Sequence, residues 1–499
     1  MSAPESVSGV RTTAGDGHLE ALGYEGEFQR SMGLVANFAL GFTYLSPLVG
    51  VYSLFALGLA TAGPPAIWWI IIVGLGQTLV ALVFGEVVAQ YPITGGIYPW
   101  TRRLWGARYA WIAAWVYVWA MIVTITSVAE FGGGFAAALF GLENTAGVGL
   151  ATAVALLLIA LAFNFSGTQV MSRVARIGFA AELAGVVAVG LYLMIFHRKQ
   201  PFSVFFDSMG TAGSGSYLTA FFAAALTGLF LFYGFEACGD VAEEVEHPGR
   251  RIPVAMLLSI GVGGISGLMS FAGYVLAAPN LKDIIAGKDG DPIPGILKDS
   301  LGTVGQKIFL VIAITAFISC VLSLQAAASR LLYSFGRDQM LPGHRWLAKL
   351  SVKHAVPTNA LIVASLVPMA ICLYIYAQPS ALVRVTSFAV LGIYLCFQMV
   401  VLAALRQRLR GWRPAGEFSL RGFGLPVTVL ALAYGVTAMY LLAKPGSTGS
   451  FGDRWTSLIG LVVVLVVGLA YLFTARPDQY SDAPQGDALE VAARLRENA

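Results

Sequence analysis

Apolar runs about as long as a bilayer is thick recur twelve times along this chain, and no other feature limits its fold as severely. They fall at approximately 31–58, 66–90, 109–140, 146–165, 171–196, 217–241, 253–277, 303–333, 358–377, 381–405, 424–443 and 455–475. About twenty helical residues cross a ~30 Å hydrocarbon core. Backbone in lipid must satisfy its own hydrogen bonds, so the runs predict an all-α integral membrane protein with twelve transmembrane helices. Composition points the same way, since only 12% of the 499 residues are charged while 57% are hydrophobic. Soluble domains carry roughly 25% charge. The lipid bilayer is therefore the expected partner of most of the surface.

Several classes of function fall away on the same grounds. The net charge of +4 is spread through loops, with no basic block dense enough to track phosphates, so nucleic acid is not an expected partner. Cys238, Cys320, Cys372 and Cys396 all lie in apolar runs without the spacing zinc needs, and the five histidines fall in polar segments. No metal or cofactor is expected, and an enzyme would want a nucleophile with its base or a histidine–metal cluster. A phosphate-binding Gly-x-x-x-x-Gly-Lys-Ser/Thr loop is also missing, which argues against ATP as the energy source. The polar amino terminus has no small-residue cleavage site after it, so the first span is expected to remain. An even span count puts both termini on one side. That side holds 22 of the 31 Lys and Arg against nine opposite, so both termini are expected in the cytoplasm and the chain in a plasma membrane. The outer loop 278–302 reads as polar, and the tail from Pro477 as flexible.

Two spans break the helical pattern. The first carries Pro47 near its middle, in Phe42-Thr43-Tyr44-Leu45-Ser46-Pro47-Leu48-Val49-Gly50, where a proline removes a helical hydrogen bond and clashes with the preceding turn. The sixth carries two glycines and two acids in Phe232-Tyr233-Gly234-Phe235-Glu236-Ala237-Cys238-Gly239-Asp240. Backbone opens at membrane depth only where protein or a water-filled cavity satisfies it. Spans 1 and 6 also occupy corresponding positions in consecutive five-helix blocks, the pattern of inverted repeats with a substrate site between them. The predicted organisation is a tail over 1–30, a first repeat over 31–196, a second over 197–405, two further helices over 406–475 and a tail over 476–499.

Three stretches carry a family resemblance. The first is Glu86-Val-Val-Ala-Gln-Tyr91-Pro92-Ile-Thr-Gly95-Gly96-Ile-Tyr98 at the end of span 2. The second is Gly234-Phe235-Glu236 running to Glu243-Glu244-Val245, Pro248 and Ile252-Pro253. The third runs from Ser329-Arg330 through Gly336-Arg337-Asp338 to Leu341-Pro342, with Pro357-Thr-Asn-Ala360 opening span 9. In their order and spacing these resemble the amino acid/polyamine/organocation transporter superfamily, most closely its branch of amino acid and choline permeases, over roughly residues 30–475. The resemblance implies the leucine-transporter-type arrangement of two inverted five-helix repeats plus helices 11 and 12, and alternating access around a central site. It makes the chain a secondary carrier of amino acids or small amines; a sensor descended from a carrier would keep the same helices.

Ionisable groups at membrane depth are expensive and usually functional. Here they are Glu86, Glu130, Glu182, Glu236 and Asp240. Removal from water favours the neutral form of a carboxyl, which makes proton coupling and amine binding both plausible. Glu236, at the break in span 6, is placed to meet a substrate ammonium. The amides of Leu48, Val49 and Gly50 offer positive helix ends to a substrate carboxylate. Tyr44, Ser46, Pro47, Phe232, Gly234 and Phe235 complete the expected substrate site. In similar proton-coupled relatives a lysine on the fifth helix stands in for a sodium ion, whereas this chain aligns Glu182 there. Glu182 is either the proton-coupling carboxyl or a structural acid bonded to backbone. The alternative ion is sodium, with Ser319 and Ser323 as ligands. The break also lacks the Gly-x-Gly cradle of many relatives, and Pro47 has no N–H, which weakens the α-amino acid reading and raises the alternative of an amine or ω-amino acid such as ethanolamine, choline or γ-aminobutyrate, or of a polyamine. Glu130 either faces the cavity or snorkels outward. Glu86 and Asp240 read as solvated helix-end charges, or as parts of a gate with Arg102, Arg103 or Arg330.

Overall fold

The computed structural model describes residues 14–24, 26–211, 213, 215–444 and 451–497; of the two expected tails, residues 1–13, 25, 498 and 499 lie outside the described residues. The helices run in the order α1 (Ala14–Ala21), α2 (Leu34–Leu45), α3 (Pro47–Ala62), α4 (Trp68–Gln90), α5 (Ile97–Leu104), α6 (Ala107–Phe140), α7 (Ala146–Phe165) and α8 (Thr168–Phe196). There follow α9 (Tyr217–Ala223), α10 (Leu226–Leu229), α11 (Ala237–Asp240), α12 (Pro248–Ala277), α13 (Leu281–Ile285), α14 (Pro292–Arg337) and α15 (His344–Leu347). The chain ends with α16 (Thr358–Ala377), α17 (Ala381–Leu409), α18 (Gly424–Ala443), α19 (Phe451–Arg454), α20 (Thr456–Ala475) and α21 (Ala488–Glu497). Among the described residues there is no strand beyond one isolated bridge, Met32 to Val245. Among the described residues, eleven segments are long and apolar enough to cross a membrane, with α2 and α3 forming one of them. The twelfth apolar run, 217–241, is a set of short helical pieces.

Inside a bilayer, helices associate through close packing and polar contacts, because lipid tails are as apolar as leucine. The core follows that rule. Gly190 of α8 and Gly273 of α12 let the two backbones touch, and a Cβ on Gly273 would lie 2.8 Å from the Gly190 carbonyl oxygen. Helix α6 lies at the centre, buried on most faces and packed against α7, α14 and α17, while α20 is largely exposed to lipid.

The first span is interrupted where its proline predicted: Pro47 is the first residue of α3, where its missing N–H is one of the donors a helix start leaves unused. Two other expectations change. The outer loop is partly helical, because Pro292 starts α14 eleven residues before the expected span and buries Ile293, Ile296 and Leu297 before a bend at Gly302. The carboxy-terminal tail is packed down. Gly486 N donates to Arg102 O, Ala107 N to Gln485 Oε1, and Ala488, Val491 and Ala492 are buried. The first tail joins it at the same end of the molecule, where His18 Nε2 meets Gln90 O and Gln90 Nε2 donates to Ala488 O.

Candidate functional site

The two interrupted segments meet. Between α2 and α3, Ser46 adopts a left-handed conformation (φ 40°), a cost that a non-glycine residue bears only when its surroundings hold it there. Gly234, in the open stretch between α10 and α11, has φ 111° and lies against this turn. A Cβ there would sit 2.6 Å from Tyr44 Cδ2 and 2.7 Å from Leu45 N, so only glycine fits on both counts. Gly50 packs equally closely on Leu231.

Glu182 reaches this junction from α8. Its Oε1 accepts from Ser46 Oγ at 2.7 Å and from Leu48 N at 2.9 Å, while Oε2 has no partner and the residue is fully buried. Ser46 Oγ in turn accepts from Val49 N at 3.3 Å, and Gly50 N is taken by Ser46 O. The amides expected to face a substrate carboxylate are thus engaged within the protein, and the internal carboxylate of Glu182 occupies the positive end of α3.

Glu236 is held on the other side of the junction. Tyr117 OH, from α6, donates to its Oε1 at 2.9 Å, and Gly234 N donates to its Oε2 at 2.7 Å. The aromatic expectations divide. Phe232 is wedged against Gly74 and Gly264, and Phe235 packs on Phe84 and Phe397, so both rings turn away from the break. Tyr233 replaces them, edge-on to Tyr44 with centroids 6.3 Å apart. Tyr44 OH is buried without a partner. Tyr117 and Tyr233 escaped sequence reasoning because an aromatic within an aromatic-rich span gives no sign of which face it occupies. Ser319 Oγ donates to Thr315 O at 2.8 Å, and Ser323 Oγ shares a hydrogen bond of 2.8 Å with Thr43 Oγ1.

At the end that carries both tails, the solvated reading of the helix-end acids is overturned. Glu86 is buried and pairs with Arg408, with Leu420 N donating to it as well; Arg102, Arg103 and Arg330 are bound elsewhere. Arg330 is fully buried and grips Glu244 through Nε (2.8 Å) and Nη2 (3.3 Å), while Thr168 Oγ1 donates to Glu244 Oε2 at 2.5 Å. Arg337 pairs with Glu243 at 3.1 Å, and Thr94 N donates to the same carboxylate at 2.9 Å. Arg102 bonds Ala483 O and Ser481 Oγ of the tail, and Arg103 bonds Leu22 O and Asp487. Asp240 is buried beside the Gly95–Gly96 turn with no hydrogen bond to either carboxylate oxygen. These contacts close that end of the bundle.

The opposite end is open. A cleft of about 400 Å³ is lined by Glu130, Asp291, Asn144, Tyr52, Phe135 and Tyr376 among others. Glu130 therefore faces a cavity. Tyr52 lies on α3 five residues beyond Pro47, so the cleft floor is roughly 8 Å along the helix from the junction. Asp291 keeps an exposed edge, yet burial of its carboxyl and then the charge of Asp289 push its pKa up to about 6.

Comparison with known proteins fits this geometry. A family model described as amino acid permease matches residues 32–469. The chain is 26% identical to the amino-acid permease BAT1 homolog of Oryza sativa subsp. japonica, over 95% of this chain and 96% of that protein. It is 24% identical to the amino-acid permease BAT1 of Arabidopsis thaliana, over 93% and 95% of the two chains. The branched-chain amino acid permease BcaP of Lactococcus lactis subsp. cremoris is 25% identical over 67% of this chain and 74% of its own.

Proposed function

Because the chain belongs to the amino acid permease family, we propose that it imports amino acids or related small amines across a plasma membrane by proton symport, through alternating access. As a family member it is a multi-pass membrane transporter. The observation that carries the finer reading is the buried Glu182 carboxylate seated on the opened backbone of the first span. A carboxyl with one unpartnered oxygen at membrane depth can take up and release a proton as solute passes. Glu236, on the far side of the junction, supplies the negative charge for a substrate ammonium.

The excess of Lys and Arg at the end with both tails supports a cytoplasmic assignment for that end. The open acidic cleft then faces outward, in the state that receives solute. The test is uptake into liposomes holding the purified protein, under an inward proton gradient, of radiolabelled α-amino acids, γ-aminobutyrate, choline, ethanolamine and polyamines. Accumulation that collapses with a protonophore is expected. Uptake only into preloaded vesicles would replace symport with exchange, and specific binding without uptake would favour a sensor.

Asp291 gives the outer cleft a pH dependence of its own. With a pKa of about 6 its carboxyl is charged above that pH and becomes neutral as the pH falls through it, so the cleft loses a negative charge on acidification. One unit charge near 4 Å in water is worth about 1 kcal/mol, or roughly fivefold in binding. The half-saturating concentration for a cationic amine is therefore expected to rise up to about fivefold between pH 7.5 and pH 5, beyond any change shown by Asp291→Asn. Parallel curves for the two proteins in initial-rate assays would remove Asp291 from substrate capture.

A further inference from the structure

We propose that the carboxylate of Glu182 and the carboxylate of an amino acid substrate are alternative occupants of one seat at the start of α3, and that a proton on Glu182 decides which of them sits there. The proposal rests on the transport reading for its consequence, but its basis is the seat itself.

Every donor in the first turn of α3 is satisfied internally. Pro47 has no N–H, Leu48 N and Ser46 Oγ both donate to Glu182 Oε1, Val49 N donates to Ser46 Oγ, and Gly50 N to Ser46 O. α3 is sixteen residues long, so its amino end carries a full helix-end charge for an anion to meet. The anion it meets is a fully buried side chain from another helix, whose second oxygen has no partner. A carboxylate built into the chain thus makes the contacts that this helix end would otherwise offer to a ligand's carboxylate.

The exchange balances in charge and protons. A proton adds to Glu182 Oε2 and forms an O–H bond, which leaves the side chain neutral. Hydrogen bonds to an ionised acceptor are roughly twice as strong as those to a neutral one, so Leu48 N–H and Ser46 O–H then favour an arriving carboxylate over the Glu182 carbonyl oxygen. The helix end faces one negative charge before and after, and one proton has entered with each carboxylate.

The surroundings leave Glu182 as the titrating group. The neighbouring α2, α3 and α7 carry no Asp, Glu, Lys, Arg or His, and the charged residues of α12 and α14 lie toward the ends of those helices. The titratable side chain that senses Glu182 is Cys320 of α14, whose Sγ donates to Tyr44 O at 3.4 Å.

The test needs no known substrate. Thermal unfolding of the purified full-length protein is followed with sodium formate, against sodium chloride at equal ionic strength, at pH 9.5 and pH 5.5. A ligand that binds only the folded state raises the midpoint in a concentration-dependent way. Glu182→Ala, with the seat vacated, is expected to gain about 2 °C or more from formate at both pH values. The unmodified protein is expected to respond at pH 5.5 and hardly at pH 9.5. Glu182→Gln, which fills the space without charge, should respond equally at the two pH values, and it serves as the test if the alanine variant does not fold. Formate acting no better than chloride on these variants would overturn the proposal, as would a pH-independent response of the unmodified protein. Transport is scored separately. A formate response without uptake of any solute would sink the carrier reading and leave the shared seat standing, and proton-driven uptake without a formate response would do the reverse.

Discussion

Glu182→Gln is expected to abolish proton-driven accumulation of solute in liposomes while sparing exchange between preloaded and external solute. Glutamine keeps the length of the side chain and an oxygen for Ser46 Oγ and Leu48 N, so the junction of α2 and α3 retains both contacts. It cannot carry a proton. A gradient of one pH unit stores about 1.4 kcal/mol per proton, enough for roughly tenfold accumulation at one proton per solute. The unmodified protein should therefore approach a tenfold inside-to-outside ratio, and the variant a ratio near one. Counterflow needs the same conformational cycle without net proton movement, so it should continue in the variant. A variant that still accumulates solute to the normal ratio would reject Glu182 as the coupling group. Loss of counterflow as well would mean that the acid is needed for the fold of the junction.

The largest effect on stability is expected at the closed end. Arg330 and Glu244 are both fully shielded from water and bonded through two nitrogens and two oxygens, with Thr168 adding a third donor. Removing one member leaves a buried charge without its partner, at a cost of about 3–5 kcal/mol. Arg330→Met and Glu244→Leu should each lower the midpoint of thermal unfolding sharply in detergent. The double variant Arg330→Met/Glu244→Leu should recover much of the loss, because a well-packed apolar pair of similar volume replaces a buried ion pair at little cost. Additive losses in the double variant would show that the two residues do not act as a pair. The same double variant separates gate from scaffold. If it folds stably but no longer accumulates solute, the pair controls closure of the tail end; if accumulation returns with stability, the pair only holds the helices together.

How far the fold was legible in the sequence depends on the kind of signal. The apolar runs predicted spans that agree with the helices to within a few residues at α4, α7, α16 and α18, because length against bilayer thickness is a local property. Pro47 and Gly234 announced the interruptions for an equally local reason, since one lacks a donor and the other tolerates positive φ. The tail from Pro477 was misread as flexible. Its polarity is that of an exposed segment, and nothing within it shows that Arg102 and Arg103 stand ready to bind its carbonyls and Asp487. Phe232 and Phe235 were expected over the site, yet Tyr233 between them faces Tyr44, because an open stretch has no helical period from which to read direction.

What the sequence by itself determined is the solvent of this protein, the positions of its breaks and the inventory of acids placed at depth. Each of these follows from a run of neighbouring residues and the cost of putting them in lipid. Only the tertiary structure decided what the acids do. Glu86, Glu182 and Glu236 each lie in an apolar run, yet one meets Arg408, one a helix end and one Tyr117. The partners stand 322, 134 and 119 residues away along the chain. A carboxylate's role is set by the donor or cation brought against it in a medium with no water to replace them, and that pairing exists only once the helices have packed.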